Sequence, residues 1–283
     1  MTSKPRLTDV TLCCIDCAQP ALAIRALQLS RAQCDFAASI LLTHSAEAED
    51  GIEIHRVPRI TDLVSYSHFV LKRLSAHIAT QFVLLIQWDG YVLDGVRWED
   101  GFRQFDYIGA PWHWHRPGER VGNGGFSLRS RRLLDALEDV TFPPGHPEDD
   151  LIGRAWRPAL ERRGVRFADV GTARRFSVEH DASESPSFGF HGMFNFWRVL
   201  RANQLGPLLD RISPAAAGSW QALDLMIQYV RRSRWAEARS VLIYYERQRG
   251  TAATIEALTA ATRHVGGGEV LRNAILLFGT RQS

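Results

Sequence analysis

Four short segments carry the side chains best suited to chemistry. In Gln87-Trp88-Asp89-Gly90 a carboxylate follows the apolar run Phe82 to Ile86. An acid just past a buried strand is placed to hold a hard cation such as Mg²⁺ or Mn²⁺, although one Asp at a strand end also suits a plain turn. In Gly122-Asn123-Gly124-Gly125-Phe126-Ser127 the glycines let backbone approach a ligand closely. Their amides can cradle phosphate or sugar oxygens. Asn-Gly is also a hairpin signal, and the glycine spacing differs from the dinucleotide-binding fingerprint. Glu148-Asp149-Asp150 follows Pro147; its acids either complement a helix dipole or supply a general base for an acceptor hydroxyl. Finally, His191 in Phe188-Gly189-Phe190-His191-Gly192 reads either as a packed, hydrogen-bonded residue or as a metal ligand.

The surrounding elements must bring these segments together. Val10 to Ile15, Phe36 to Leu42, Ile52 to Val57 and Phe82 to Ile86 read as strands. Pro20 opens a helical stretch, and Asp62 or Thr61 caps another carrying Val64, Ser67, Leu71 and Leu74 on one stripe. Alternating strands and helices predict a mostly parallel sheet flanked by helices, with ligands beyond the carboxyl ends of the strands. Asp89 falls at such an end. Residues 97 to 196, richer in Trp, Gly, His and Pro, read as shorter strands and loops completing one side of a site. Ser219 to Arg231, Trp235 to Gln248, Thr254 to Arg263 and Glu269 to Phe278 have helical spacing. The predicted division is therefore a domain over 1–212 and a small helical module over 213–283. That module either packs on the main domain or docks a protein or membrane partner; a single segment, Arg234 to Ala238, faintly resembles a tetratricopeptide-type helix.

Bulk properties exclude several classes. Thirty-four basic and 31 acidic side chains give a net charge of +3, too mild for a nucleic-acid partner. Basic clusters at Arg129, Arg131 and Arg132 and at Arg231, Arg232 and Arg234 read as solvated helix faces or a weak attraction to phosphates or an anionic membrane surface. No run is apolar for the ~18 residues of a membrane span, and the polar start predicts a cytoplasmic protein, with peripheral contact at the inner membrane face as an option. Cys13, Cys14, Cys17 and Cys34 lack a second pair at zinc spacing and read as small buried residues.

Taken in order, the four segments resemble the core of GT-A glycosyltransferases. With Tyr107-Ile108-Gly109-Ala110-Pro111-Trp112 and Gly-Asn-Gly-Gly-Phe-Ser-Leu-Arg-Ser added, the chain is similar over residues 8 to 200 to a poorly characterised bacterial glycosyltransferase-like family. The resemblance implies a Rossmann-like α/β fold of GT-A type, a nucleotide-diphosphate-sugar donor, a glycan or lipid-linked acceptor, and Mn²⁺ or Mg²⁺. Asp89 and His191 would hold the metal. Gln87 stands where the first Asp of the metal motif is usual, and would act as a neutral ligand or bond the donor's ribose or sugar. Gly124 and Gly125 would line donor sugar and acceptor. Asp149 would be the base, with Glu148 on sugar hydroxyls and Asp150 a rival base. The nucleotide base is expected near Ile15 to Gln19, with Asp62, Ser67 and Lys72 toward the ribose or diphosphate. Trp88, Trp112 and Trp114 offer planes to sugar faces; His113 and His115 read as an exposed loop. In-line attack with inversion follows from a base opposite the leaving group. Two other readings compete: a haloacid-dehalogenase-type phosphotransferase, disfavoured because its nucleophilic Asp would fall at Gln87, and an inactive GT-A-like scaffold with a helical docking tail.

Overall fold

The computed structural model describes residues 4–45, 49–180 and 185–264. It forms two compact units, Met1–His191 and Gly192–Ser283.

The first unit is built on a six-stranded sheet. Strand β1 (Arg6–Ile15) is buried on both faces over its second half, the pattern of a parallel strand covered by helices. Asp16 ends it by accepting from the Ala18 and Gln19 amides at 2.7 and 2.6 Å. Helix α1 (Pro20–Gln33) then starts with proline in its first turn and buries Leu22, Ala23, Ala26 and Leu27. Next come β2 (Asp35–Thr43), β3 (Glu53–Arg56), α2 (Leu63–Lys72) and β4 (Phe82–Ile86), all five residues of β4 being buried. Asp62 caps α2 through the Ser65 amide at 2.8 Å. Strands β5 (Tyr107–Ile108) and β6 (Phe126–Ser130) follow, then α3 (Arg131–Glu138), a short helical turn α4 (Glu148–Asp150) leading into a π-helical turn, and α5 (Arg157–Arg162). Helix α6 (Val170–Phe176) and the short strands β7 (Ser177–Val178) and β8 (Gly189–Phe190) close the unit.

The sheet order is β3-β2-β1-β4-β6-β5. The first four strands are mutually parallel, β6 is antiparallel to β4, and β5 is antiparallel to β6. This is the mostly parallel α/β sheet that the alternating pattern predicts. One apolar cluster gathers Cys13, Ile40, Leu42, Val70 and Leu85. Another joins Tyr107 and Leu133 to Phe142, Ile152 and Leu160. All four cysteines are buried and free.

Arg129 departs from the solvated-face reading. Ser130 is the cap of α3, so Arg129 still belongs to β6 and is wholly buried; only Arg131 and Arg132 reach the exposed helix face.

The second unit begins with a 3₁₀ segment, Met193–Arg198, followed by α7 (Ala202–Leu209), α8 (Pro214–Ala217), α9 (Trp220–Arg231), α10 (Trp235–Arg249) and α11 (Thr251–His264). Residue 212, where the sequence reading ends the main domain, lies inside this unit. The second basic cluster is also partly internal: Arg234 donates to the Trp197 carbonyl at 2.7 Å and pairs with Glu237 at 2.6 Å, and Arg232 stacks on Trp197. The expected helix Glu269 to Phe278 lies outside the described residues. Among those described, no helix is long and apolar enough to cross a membrane.

Candidate active site

Strand register brings the first two segments together. Ile86, the last residue of β4, pairs with Phe126, the first of β6. The antiparallel sense places Gln87 to Gly90 alongside Gly125 and Gly124. Strand β8 supplies the third part. Gly189 bridges to Val92, and the Phe190 amide donates to the Tyr91 carbonyl at 3.4 Å, while on its other side β8 pairs with β7. His191 thereby lands between Asp89 and Glu179. Two glycines are required by that approach. A β-carbon at Gly90 would lie 2.8 Å from the Phe190 carbonyl oxygen, and one at Gly125 would lie 2.1 Å from His191 Nε2.

The imidazole is bonded on both edges. His191 Nδ1 lies 3.0 Å from Glu179 Oε1; Nε2 lies 3.0 Å from Gln87 Oε1 and 3.6 Å from Asp89 Oδ1. Burial opposes its charged form, but Asp89 and the hydrogen bond to Glu179 outweigh that and raise its pKa to about 9. Asn123 Nδ2 donates to Glu179 Oε1 at 2.8 Å, and Asn123 Oδ1 accepts from the Phe126 amide at 3.3 Å, tying the glycine loop to the same carboxylate.

The acidic segment reaches the loop from the opposite side. Asp149 Oδ2 accepts from the Gly124 amide at 3.1 Å. Burial and the neighbouring Glu148 raise its pKa to about 7, in the range suited to a general base near neutrality. Glu148 is buried; it accepts from Ser67 at 3.2 Å and pairs with Arg129 at 3.4 Å. Arg129 also donates to Ser127 at 3.0 Å and lies over the Tyr107 ring.

Asp89, His191, Gln87, Gly124, Gly125, Glu148 and Asp149 therefore form one constellation. Asp150 turns away and pairs with Arg154 at 2.6 Å. A cavity of about 280 Å³ opens beside Gln87, lined by Ile15, Asp16, Cys17, Asp62, Tyr66 and Trp88. It lies at the end of β1, where the sequence reading expects the nucleotide base. Asp62 contributes at its rim while capping α2. Two expected ligand residues stand elsewhere. Lys72 donates to the Leu137 and Asp139 carbonyls at the end of α3, because its helix position faces that terminus rather than the sheet ends. Trp112 is buried, and a β-carbon at Gly122 would lie 2.2 Å from its ring, so it packs the loop as a core residue. Trp114, in contrast, is 58% exposed.

Glu179, Asn123 and Arg129 are the residues that sequence reasoning missed. Asn123 is visible only as half of an Asn-Gly turn, and Arg129 is masked by the basic run that follows it. Glu179 sits in no motif; its place comes from β7–β8 register alone.

Asp89 offers a carboxylate and Gln87 an amide oxygen, donors that a hard divalent cation takes, and His191 could join them only in its neutral form, with its far nitrogen meeting Glu179. Among the described residues no group of three or more His, Cys, Asp or Glu side chains could hold a metal ion.

No curated protein matches the sequence. Among solved structures, an active-site mutant of LgtC and the galactosyltransferase LgtC in complex with donor and acceptor sugar analogues are each 14% identical to this chain. Each alignment covers 65% of this chain and 86% of LgtC, with a TM-score of 0.42. The model of the family described as protein of unknown function (DUF5672) matches residues 51–191. That span runs from the segment before β3 to His191, and over it the chain is similar to this family.

Proposed function

We propose that the chain is a metal-assisted glycosyltransferase that moves a sugar from a nucleotide-diphosphate sugar to a hydroxyl acceptor, with inversion at the anomeric carbon. The observation carrying this reading is the convergence of Asp89, His191 and Asp149, from three distant segments, on the Gly124-Gly125 loop at the carboxyl end of β4. The nucleotide would lie in the cavity beside Gln87 and Trp88. Asp89 and His191 would hold Mn²⁺ or Mg²⁺, which when bound supplies positive charge to the departing diphosphate. Gly124 and Gly125 let the sugar approach the backbone. Asp149 takes the acceptor's proton; Glu148, held by Arg129 and Ser67, meets sugar hydroxyls. The acceptor is a glycan or lipid-linked saccharide, and the helical second unit is a candidate surface for membrane or protein contact.

One observation favours a second reading, an inactive binding domain. Gln87 stands where the resemblance to GT-A enzymes implies an acid, and its amide oxygen lies 3.0 Å from His191 Nε2. Incubating the chain with a panel of nucleotide sugars and Mn²⁺ separates the two. Donor hydrolysis or transfer, lost in Asp149→Asn, supports the enzyme; nucleotide-sugar binding without any turnover supports the binding domain.

A further inference from the structure

Each nitrogen of His191 faces a different cavity wall. Nε2 meets Gln87, which lines the cavity at the end of β1. Nδ1 meets Glu179, which lines a second cavity of about 450 Å³. Two hollows thus lie one side chain to either side of the same imidazole. The second is lined by His113, Arg174, Arg175, Ser177, Glu179 and Pro186, and its volume is that of a small-ligand site.

Its charges are unequally occupied. Glu179 is buried and bonded to His191 and Asn123, so its charge is already answered. Arg175 is answered by Glu99, Nε lying 2.8 and 3.2 Å from the two carboxylate oxygens. Arg174, in the last turn of α6, is exposed and has no hydrogen-bond or ion-pair partner among the described residues. Ser177 is fully buried beneath the cavity wall. An exposed guanidinium on the cavity wall, not engaged by a described carboxylate, favours a ligand carrying a planar or tetrahedral oxyanion. Exposed Trp114 stands nearby in the chain, its ring edge-on to His180 at 5.2 Å, and offers a plane to a sugar's apolar face.

We propose that this second cavity holds the part of the acceptor remote from the hydroxyl presented to Asp149, and that it selects an acceptor sugar bearing a negative charge, carboxylate or phosphate, through Arg174. The assignment rests on the transferase reading, with the nucleotide on the Gln87 side of His191 and the acceptor on the Glu179 side.

The test is calorimetric titration of the full chain with glucuronic acid, glucose phosphate and methyl glucoside, alongside a panel of nucleoside diphosphates with Mn²⁺. At least one anionic sugar is expected to bind about tenfold or more tighter than methyl glucoside, the size of a lost charge-assisted hydrogen bond. Arg174→Met removes that preference, Arg174→Lys restores part of it, and nucleotide affinity is unchanged in both. Which anionic arm binds identifies the group. Equal binding of the neutral sugar, or a preference untouched by Arg174→Met, overturns the charge selection. Nucleotide binding with no sugar binding overturns the cavity assignment alone; if neither binds, the transferase reading falls with it.

Discussion

Gly125 and His191 are in such close contact that a β-carbon at position 125 would lie within 2.5 Å of three atoms of the imidazole. The glycine is therefore a spacer that lets the ring stand over the loop, between Asp89 and Glu179. Gly125→Ala is expected to displace the ring and cost about 1–3 kcal/mol, as overpacking does. Chemical denaturation would measure the loss, and the His191 ring resonances in NMR would report the displacement.

Arg129 and Glu148 form a buried ion pair at 3.4 Å, and burying either charge alone is costly. Arg129→Met should destabilise the fold by about 3–5 kcal/mol. The double variant Arg129→Met/Glu148→Gln, with both charges gone, should recover a substantial part of that. A double-mutant cycle on unfolding free energies checks it; additive losses would show that the pair is not coupled.

Asp149 gives a pH signature. Its folded pKa is raised to about 7 by burial and by Glu148, above the unfolded value of about 3.9. The folded state then binds more protons than the unfolded state between those values, so this group's contribution to stability declines as pH rises from about 4 to about 7. The slope is at most ~1.4 kcal/mol per pH unit. Asp149→Asn should flatten that part of the profile. Transfer, which needs the ionised form as base, should rise with pH through about 7 in the native chain. Asp149→Asn should lower it by roughly 10²–10⁴-fold, with donor affinity retained.

Lys72 offers a control. Its ammonium caps the Leu137 and Asp139 carbonyls, so Lys72→Met should lower stability by about 1 kcal/mol or somewhat more and leave nucleotide affinity unchanged. A marked loss of nucleotide binding would return Lys72 to the donor site.

The parallel half of the sheet was legible because buried runs such as Phe82 to Ile86 and caps such as Asp62 are local signals. The grouping of Asp89, Gly124, Asp149 and His191 was legible as an ordered set of segments. What escaped were consequences of pairing. Glu179 reaches His191 through the β7–β8 register, and Arg129 is inward-facing because β6 extends to Ser130 before α3 begins. Lys72 and Trp112 stand apart from the constellation for the same reason: residue type suggests a ligand, but only the packed neighbours show which surface each side chain meets.

The most direct measurement is nucleotide-sugar affinity with and without Mn²⁺, in the native chain and in Asp89→Asn and His191→Ala. The account predicts that at least one nucleotide-diphosphate sugar binds, that Mn²⁺ tightens it, and that either substitution removes the metal's effect. Binding that ignores both Mn²⁺ and the two substitutions, or no binding by any nucleotide sugar, would contradict it.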